Sequence, residues 1–404
     1  MPLTKRVGSE AVMMPKVLGE LDPAQFLAEY WQKQPLLVRG AWPGFQDPLT
    51  PEELAGLACE EGVESRLVLE RGGEKPWELR HGPFVDDDFL KLPDSHWTLL
   101  VQDVEKHASD LTALLEPFRF IPDWRIDDLM ISYAPPAGSV GPHVDDYDVF
   151  LLQGQGRRRW QISHRPVESD NCLPDTELRI LREFVPEQEW VLEPGDLLYL
   201  PPRVAHYGVA LEPCLTYSVG FRAPSHRELV GGFLEFLLDG IDPEARYTDP
   251  DLSVQDHPGE IGPAALARVR NLLHEVITLD DETIAVWFGR YLSESKPGFR
   301  AEPETEPYSE NDLREHVRGG GSLERNPGSR FHYMVEPEGG TVLFVDGQAF
   351  ALGPALAFVA PLLCRYRTLA PARLREVLKQ PDARQLLLDL LNEGLLVIYE
   401  EEAD

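Results

Sequence analysis

Between residues 125 and 222 the sequence breaks into short runs of β-forming side chains punctuated by Gly and Pro. No other feature constrains the fold as much. The runs are Leu129 to Tyr133, Val149 to Leu152, Arg159 to Ile162, Trp190 to Leu192, Leu197 to Leu200 and Leu215 to Phe221. Gly154-Gln155-Gly156 reads as a hairpin connection and Glu193-Pro194-Gly195-Asp196 as another turn. Evenly spaced short strands with turn signals suit an all-β barrel or a double-sheet jelly roll.

The flanks have a different texture. Phe26, Leu27, Tyr30 and Trp31 recur at helical spacing, Pro35 stops that helix, and Leu36-Leu37-Val38 reads as a short strand. Thr50-Pro51-Glu52 opens a second helix. From 226 to 295 the period is helical, carried by Leu229 and Phe233, then Leu266, Val269 and Leu273, then Ile284, Trp287 and Tyr291. Three such helices form a small bundle with more large apolar residues than it can cover. Phe233, Phe236, Leu237, Trp287 and Phe288 are the expected surplus, and a patch of that size marks an interface, most simply a twofold homodimer.

Residues 295 to about 330, with Pro297, Pro303, Pro307 and Gly319-Gly320-Gly321-Ser322, read as a linker. Beyond it, Val342 to Val345, Asp346-Gly347 and Ala349 to Leu352 give a hairpin. Helices opened by Thr368 with Pro371 and by Pro381 follow, and Leu395 to Tyr399 is a final strand, a pattern that suits a winged-helix module. The expected division is 1–225 for the β-rich domain, 226–297 for a helical dimerisation domain, and 298–404 for linker and winged helix.

Composition narrows the setting. A chain of 404 residues is too long for one ordinary core. It has no apolar run long enough for a transmembrane helix, and Lys5 and Arg6 are followed by no apolar stretch of a secretory signal. Cys59, Cys172, Cys214 and Cys364 are scattered, which argues against zinc ribbons, iron–sulfur sites and disulfide frameworks and favours the cytoplasm. The net charge of −31 repels nucleic acid unless a basic patch is segregated, and it attracts a basic partner. Arg365, Arg367, Arg373 and Arg375 are close in sequence, but the tail has no strong basic stripe, so nucleic acid is not an expected partner.

Chemistry concentrates in two places. In Gly141-Pro142-His143-Val144-Asp145, residues two apart on a strand point to the same side, so His143 and Asp145 both face a barrel interior. Later, Glu193-Pro194-Gly195-Asp196, a hydrophobic strand and Pro201-Pro202 deliver His206 to a barrel wall. Two imidazoles and a carboxylate make a facial triad that leaves open positions, the arrangement of non-haem iron(II) oxygenases. In Arg157-Arg158-Arg159-Trp160, strand alternation sends Arg158 opposite to its neighbours. A single inward arginine matches the distal carboxylate of 2-oxoglutarate.

Together with Tyr147-Asp148-Val149-Phe150 and Pro194-Gly195-Asp196, these motifs resemble the Jumonji-C, or cupin-like, oxygenases, and Tyr30-Trp31-Gln32-Lys33-Gln34-Pro35-Leu36 is similar to the opening segment of that group. The order of barrel, bundle and winged helix resembles the bacterial ribosomal oxygenases. The resemblance implies a mixed α and β chain with a double-stranded β-helix (jelly-roll, cupin-like) barrel. It implies Fe(II) on His143, Asp145 and His206, 2-oxoglutarate as co-substrate on Arg158, and O2. Its implied reaction is 3-hydroxylation of an arginine in a basic large-subunit ribosomal protein, by a homodimer. Ser132, Thr216 and Ser218, on strands flanking the metal strands, offer hydroxyls to the co-substrate, and Asp86-Asp87-Asp88, Asp145-Asp146 and Asp148 are expected to flank an entrance for a cationic side chain. The alternatives are a hydroxylase or demethylase of another basic protein, and a catalytically silent cupin-type binding protein.

Overall fold

The computed structural model describes residues 15–73, 76–168, 171–174, 177–277 and 280–399. Lys5 and Arg6 lie outside them. The chain divides into two compact units, Met1–Ala223 and Pro224–Asp404.

Among the described residues the first unit is built on eleven strands: β1 (Leu36–Val38), β2 (Ser65–Glu70), β3 (Trp77–His81), β4 (Trp97–Val101), β5 (Ile126–Ala134), β6 (Asp148–Gln153), β7 (Arg158–Ser163), β8 (Gln188–Leu192), β9 (Leu197–Leu200), β10 (Ala205–Ala210) and β11 (Cys214–Phe221). Eight form one antiparallel sheet in the order β1-β9-β6-β11-β5-β4-β2-β3, and three form a second, β10-β7-β8. Alternation assigns the two faces of the large sheet. Phe150, Leu152, Leu197, Tyr199, Leu215, Tyr217, Val219 and Phe221 pack with Phe26 and Phe118 in one core. Val149, Leu151, Leu198 and Leu200, on the opposite face, share a second core with Trp160, Ile162 and Leu192 of the small sheet. The two sheets therefore enclose an interior, the double-sheet jelly roll that the strand texture suits and the double-stranded β-helix that the family resemblance implies.

Local chemistry explains the details. Asp22 caps the helix Pro23–Glu29 with a reciprocal Gln25 bond, and Thr50 with Glu53 caps Pro51–Leu57. The first helix stops at Glu29, so Tyr30 and Trp31 belong to the turn after it rather than to the helix. The Gly154–Gly156 segment is a corner, not a hairpin: β6 lies in the large sheet and β7 in the small one. Gly156 takes φ +67°, and a Cβ there would collide with the Pro213 carbonyl.

In the second unit the helices His226–Asp239, Pro263–Val276 and Asp281–Ser293 occur as expected. Their apolar surplus lies elsewhere. Phe233 and Trp287 stack edge-on at 5.1 Å, and Phe236, Leu237 and Phe288 are half-buried. Val230, Leu234, Leu238, Leu266, Val269, Leu272 and Leu273 are among the exposed ones, and Pro263–Val276 buries no residue. The third helix docks against the strand Thr341–Val345 through Gly289, where a Cβ would strike the Phe344 ring.

The linker expectation fails for 310–325. Ser309 caps a helix, Glu310–Gly319, whose Leu313 and Val317 are buried, and the glycines terminate it with Gly320 at φ 96°. Ser322–Arg325 then pairs with Thr368–Leu369 and Leu396–Tyr399, while Phe331–Val335, Thr341–Val345 and Gln348–Leu352 form a second three-stranded sheet. Helices Val359–Arg365, Pro371–Val377 and Pro381–Asn392 close a core around Leu363, Leu374, Leu387 and Leu390.

Candidate active site

His143 and Asp145 do not lie on a regular strand. β6 begins only at Asp148, and His143 forms an isolated bridge with His206 of β10. The alternation still operates: Val144 turns into a small core with Leu181 and Ala205, and its neighbours turn the other way. Gly141 opens the segment at φ +80°, and the Arg203 N–H donates to the Asp145 carbonyl at 2.8 Å.

The result is a compact donor set. The Asp145 Oδ2 lies 3.8 Å from His143 Nε2 and 3.5 Å from His206 Nε2, and one ligand atom from each of the three residues falls within 4.8 Å of the others. His143 Nδ1 is 2.9 Å from the Gly141 carbonyl and His206 Nδ1 is 2.9 Å from the Val204 carbonyl. A carbonyl only accepts, so each Nδ1 carries the proton and each Nε2 presents a lone pair to the centre. Burial, and then the neighbouring His143, push the His206 imidazole down to about 4, which keeps it in the ligand form at neutral pH. Two neutral imidazoles and one carboxylate with open positions suit iron(II).

Arg158 turns inward and is 5% exposed, whereas Arg157 turns out to pair with Glu212 at 3.1 Å. The Arg158 Nε and Nη2 are buried without a hydrogen-bond partner among the described residues, and the guanidinium stands 5.7 Å from the Trp160 ring. Buried, unpaired guanidinium N–H groups fit a carboxylate ligand such as the distal end of 2-oxoglutarate.

Ser132 and Thr216 are cross-strand partners of β5 and β11, and Ser218 sits opposite Met130 and Leu151. All three are buried and alternate with residues of the outer core, so they face the interior. The Thr216 hydroxyl donates to Gln153 Oε1 at 3.3 Å.

The acidic residues divide. Asp148 does not flank an entrance: it is fully buried on the opposite face of β6, where the Tyr199 hydroxyl donates to it at 2.6 Å and Gln32 Nε2 at 2.9 Å. Asp146 is exposed and pairs with Arg179 and Arg203. Asp86, Asp87 and Asp88 form the first turn of Asp86–Leu90, the first two exposed and Asp88 half-buried. Asp128 is not among the residues the sequence singles out, and Tyr147 enters there only within the Tyr147-Asp148-Val149-Phe150 motif. Asp128 alternates with the core residue Leu129 and so shares the interior side with Ser132. Tyr147 is 43% exposed, yet crowding around its hydroxyl raises the phenol, and so do the Asp145 and Asp128 carboxylates, with a hydrogen bond to Asp145. Strand parity was the signal that could have found Asp128.

Comparison with known proteins agrees with this architecture. Residues 113–229 match the JmjC domain family and 271–397 match the ROXA-like winged helix. The chain is 37% identical over 382 residues to the ribosomal protein uL16 3-hydroxylase of Escherichia coli (strain K12), covering 93% of this chain and 97% of that protein. It is 41% identical over 239 residues to a probable ribosomal oxygenase of Haemophilus influenzae, covering 58% of this chain and 56% of the relative. The structure of E. coli YcfD in complex with cobalt and 2-oxoglutarate aligns with a TM-score of 0.79 at 35% identity, over 94% of this chain and 99% of that one.

Proposed function

This chain belongs to the JmjC-domain ribosomal oxygenases, and from that membership we propose that it hydroxylates an arginine side chain of the ribosomal protein uL16 in an iron(II)- and 2-oxoglutarate-dependent reaction. The observation that carries the reading is the pair of Nε2 lone pairs and the Asp145 carboxylate converging in the barrel that also holds the buried, unpaired Arg158.

His143, Asp145 and His206 would hold the metal, and Arg158 the distal carboxylate of 2-oxoglutarate. When bound, iron with 2-oxoglutarate and O2 supplies the oxidant: a C–H bond becomes C–OH as the co-substrate becomes succinate and carbon dioxide. The chain's own work is positioning. The carbonyls of Gly141 and Val204 fix both imidazole rings. Trp160, Ile162 and Leu200 keep the interior apolar around Arg158, which strengthens its attraction for a carboxylate. Ser132 and Ser218 face the same interior and are proposed as additional co-substrate contacts. The Asp128 carboxylate lies on the same strand face as Ser132 and is proposed to receive the guanidinium of the substrate, with the Tyr147 phenol near it.

Two finer points belong to the same proposal. The exposed apolar stripes Val230, Leu234 and Leu238 on one helix and Leu266, Val269 and Leu273 on another support a homodimer through these helices. A ribosomal-protein substrate and four free cysteines support a cytoplasmic setting, and no helix among the described residues is long and apolar enough to cross a membrane.

Mass spectrometry on a panel of basic peptides tests the reading. The uL16 arginine peptide should gain one oxygen atom in an iron- and 2-oxoglutarate-dependent way. Loss of a methyl group from a methylated peptide, with no gain on arginine, would turn the reading to a demethylase.

A further inference from the structure

The second unit carries a cleft of about 440 Å³ lined by Arg314, Val317, Arg318, Arg375, Leu378, Lys379 and Arg384. Its walls come from the helices Glu310–Gly319 and Pro371–Val377 and the first turn of Pro381–Asn392. Five of the seven lining residues are cations and none is a carboxylate, in a chain with 69 acidic residues against 38 Lys and Arg. This is the segregated basic patch that an acidic chain needs before it can approach a polyanion.

Neutralisation within the cleft is partial. Glu310 is shared between Arg314 at 2.8 Å and Arg384 at 3.0 Å, and Glu376 pairs with Lys379 at 2.7 Å. Arg318 and Arg375 are exposed and have no ion pair among the described residues. Cations near helix C-termini complement the macrodipole, which accounts for Arg318, Arg375 and Lys379 singly. It does not account for Arg384, in the first turn of its helix, where the dipole disfavours a cation, nor for Arg314 in mid-helix.

The predominance of arginine selects the ligand. A guanidinium fork engages two oxygens of one phosphate, and the half-buried Leu378 side chain offers apolar contact to a sugar. Base reading in a duplex groove is not what this unit is built for. The exposed side chains of Pro381–Asn392 at Asp382, Gln385 and Asp389 include no cation. We propose that the cleft binds the phosphodiester backbone of single-stranded RNA without sequence preference. The choice of RNA rests on the ribosomal-protein reading above, because a substrate of that class is a protein that joins RNA. Binding there would hold RNA-associated substrate at the enzyme while the barrel acts on the side chain.

Fluorescence anisotropy with a labelled single-stranded RNA oligonucleotide and the full chain tests this. Binding should weaken with salt with a slope of about −1.4 to −2 in log K against log salt, as expected for two to three phosphates. The double substitution R318E/R375E should weaken affinity by about tenfold or more at low salt. K16E/K91E, which subtracts the same charge from exposed sites on the other unit, should not. Hydroxylation of a short arginine peptide by R318E/R375E should match the parent, which separates failure of this proposal from failure of the hydroxylase reading. Three results overturn it: no binding at low salt, equal affinity of R318E/R375E and the parent, or polyglutamate displacing the RNA as effectively as unlabelled RNA does.

Discussion

Gly208 of β10 lies beneath the indole of its cross-strand partner Trp160 on β7, and a Cβ at Gly208 would stand 2.7 Å from that ring. The same indole is 6.0 Å from the His206 ring and 5.7 Å from the Arg158 guanidinium carbon. One glycine thus sets the position of the side chain that neighbours both His206 and Arg158, the proposed metal and co-substrate residues. Gly208→Ala should displace the indole, cost about 1–3 kcal/mol of stability, and lower kcat/KM for 2-oxoglutarate. Thermal unfolding and steady-state kinetics check this, and a variant indistinguishable from the parent in both would count against it.

Arg158 and Arg157 are adjacent but face opposite ways, and their substitutions should differ accordingly. Losing a buried charged hydrogen bond costs about 1.5–3 kcal/mol, so Arg158→Ala should raise KM for 2-oxoglutarate roughly ten- to hundredfold. Metal affinity should change little. Arg157→Ala removes an exposed pair with Glu212 and should leave KM unchanged. The reverse ranking would show that the co-substrate is anchored elsewhere.

Glu105 gives the fold a pH signature. Its carboxylate accepts the Leu129 N–H at 2.9 Å in a buried setting. Burial pushes its pKa up to about 7, with Asp128 and Asp103 adding to the rise and Lys106 opposing it. At low pH the group is protonated in both states. As pH rises from the ordinary value of 4.5 through 7, the unfolded chain releases its proton first, so stability is lost across that window, up to about 3 kcal/mol. Glu105→Gln retains an acceptor for Leu129 and cannot ionise. It should therefore raise Tm over the parent at about pH 8 and much less at about pH 5. Equal differences at both values would contradict the assignment.

The dimer proposal predicts monomers when charge enters the exposed helical face. Leu234→Glu combined with Leu273→Glu replaces exposed residues, so the fold should persist while light scattering reports half the mass. A wild-type chain that is monomeric at micromolar concentration would remove the proposal.

Several elements were legible in the sequence because their determinants are local. The triad positions follow from a two-residue alternation and a turn–strand–proline run, and the facing of Arg158 from parity along β7. Asp148 was not legible, because its partners Gln32 and Tyr199 are remote in sequence and meet it only on the core side of β6. The Gly154–Gly156 corner was misread as a hairpin because both demand glycine, and only the strand order distinguishes them. The helix at Glu310–Gly319 carried its signal in Ser309 and Asp312, a reciprocal cap, but the surrounding prolines, acids and glycines outweighed it. The apolar surplus was misplaced because helical periodicity gives each helix a face without saying which faces meet: Phe233 and Trp287 found each other.

The central claim, that His143, Asp145 and His206 hold the iron that drives hydroxylation, is tested most directly by Asp145→Ala. Asp145 is partly exposed and its side chain faces the two imidazoles and the exposed Tyr147, so the fold should survive its loss. The measurement is the mass of the uL16 arginine peptide after incubation with iron(II), 2-oxoglutarate and either protein, with succinate followed in parallel. The account predicts one added oxygen and matching succinate with the parent, and neither with Asp145→Ala. Asp145→Ala turning over at the parent's rate would contradict it.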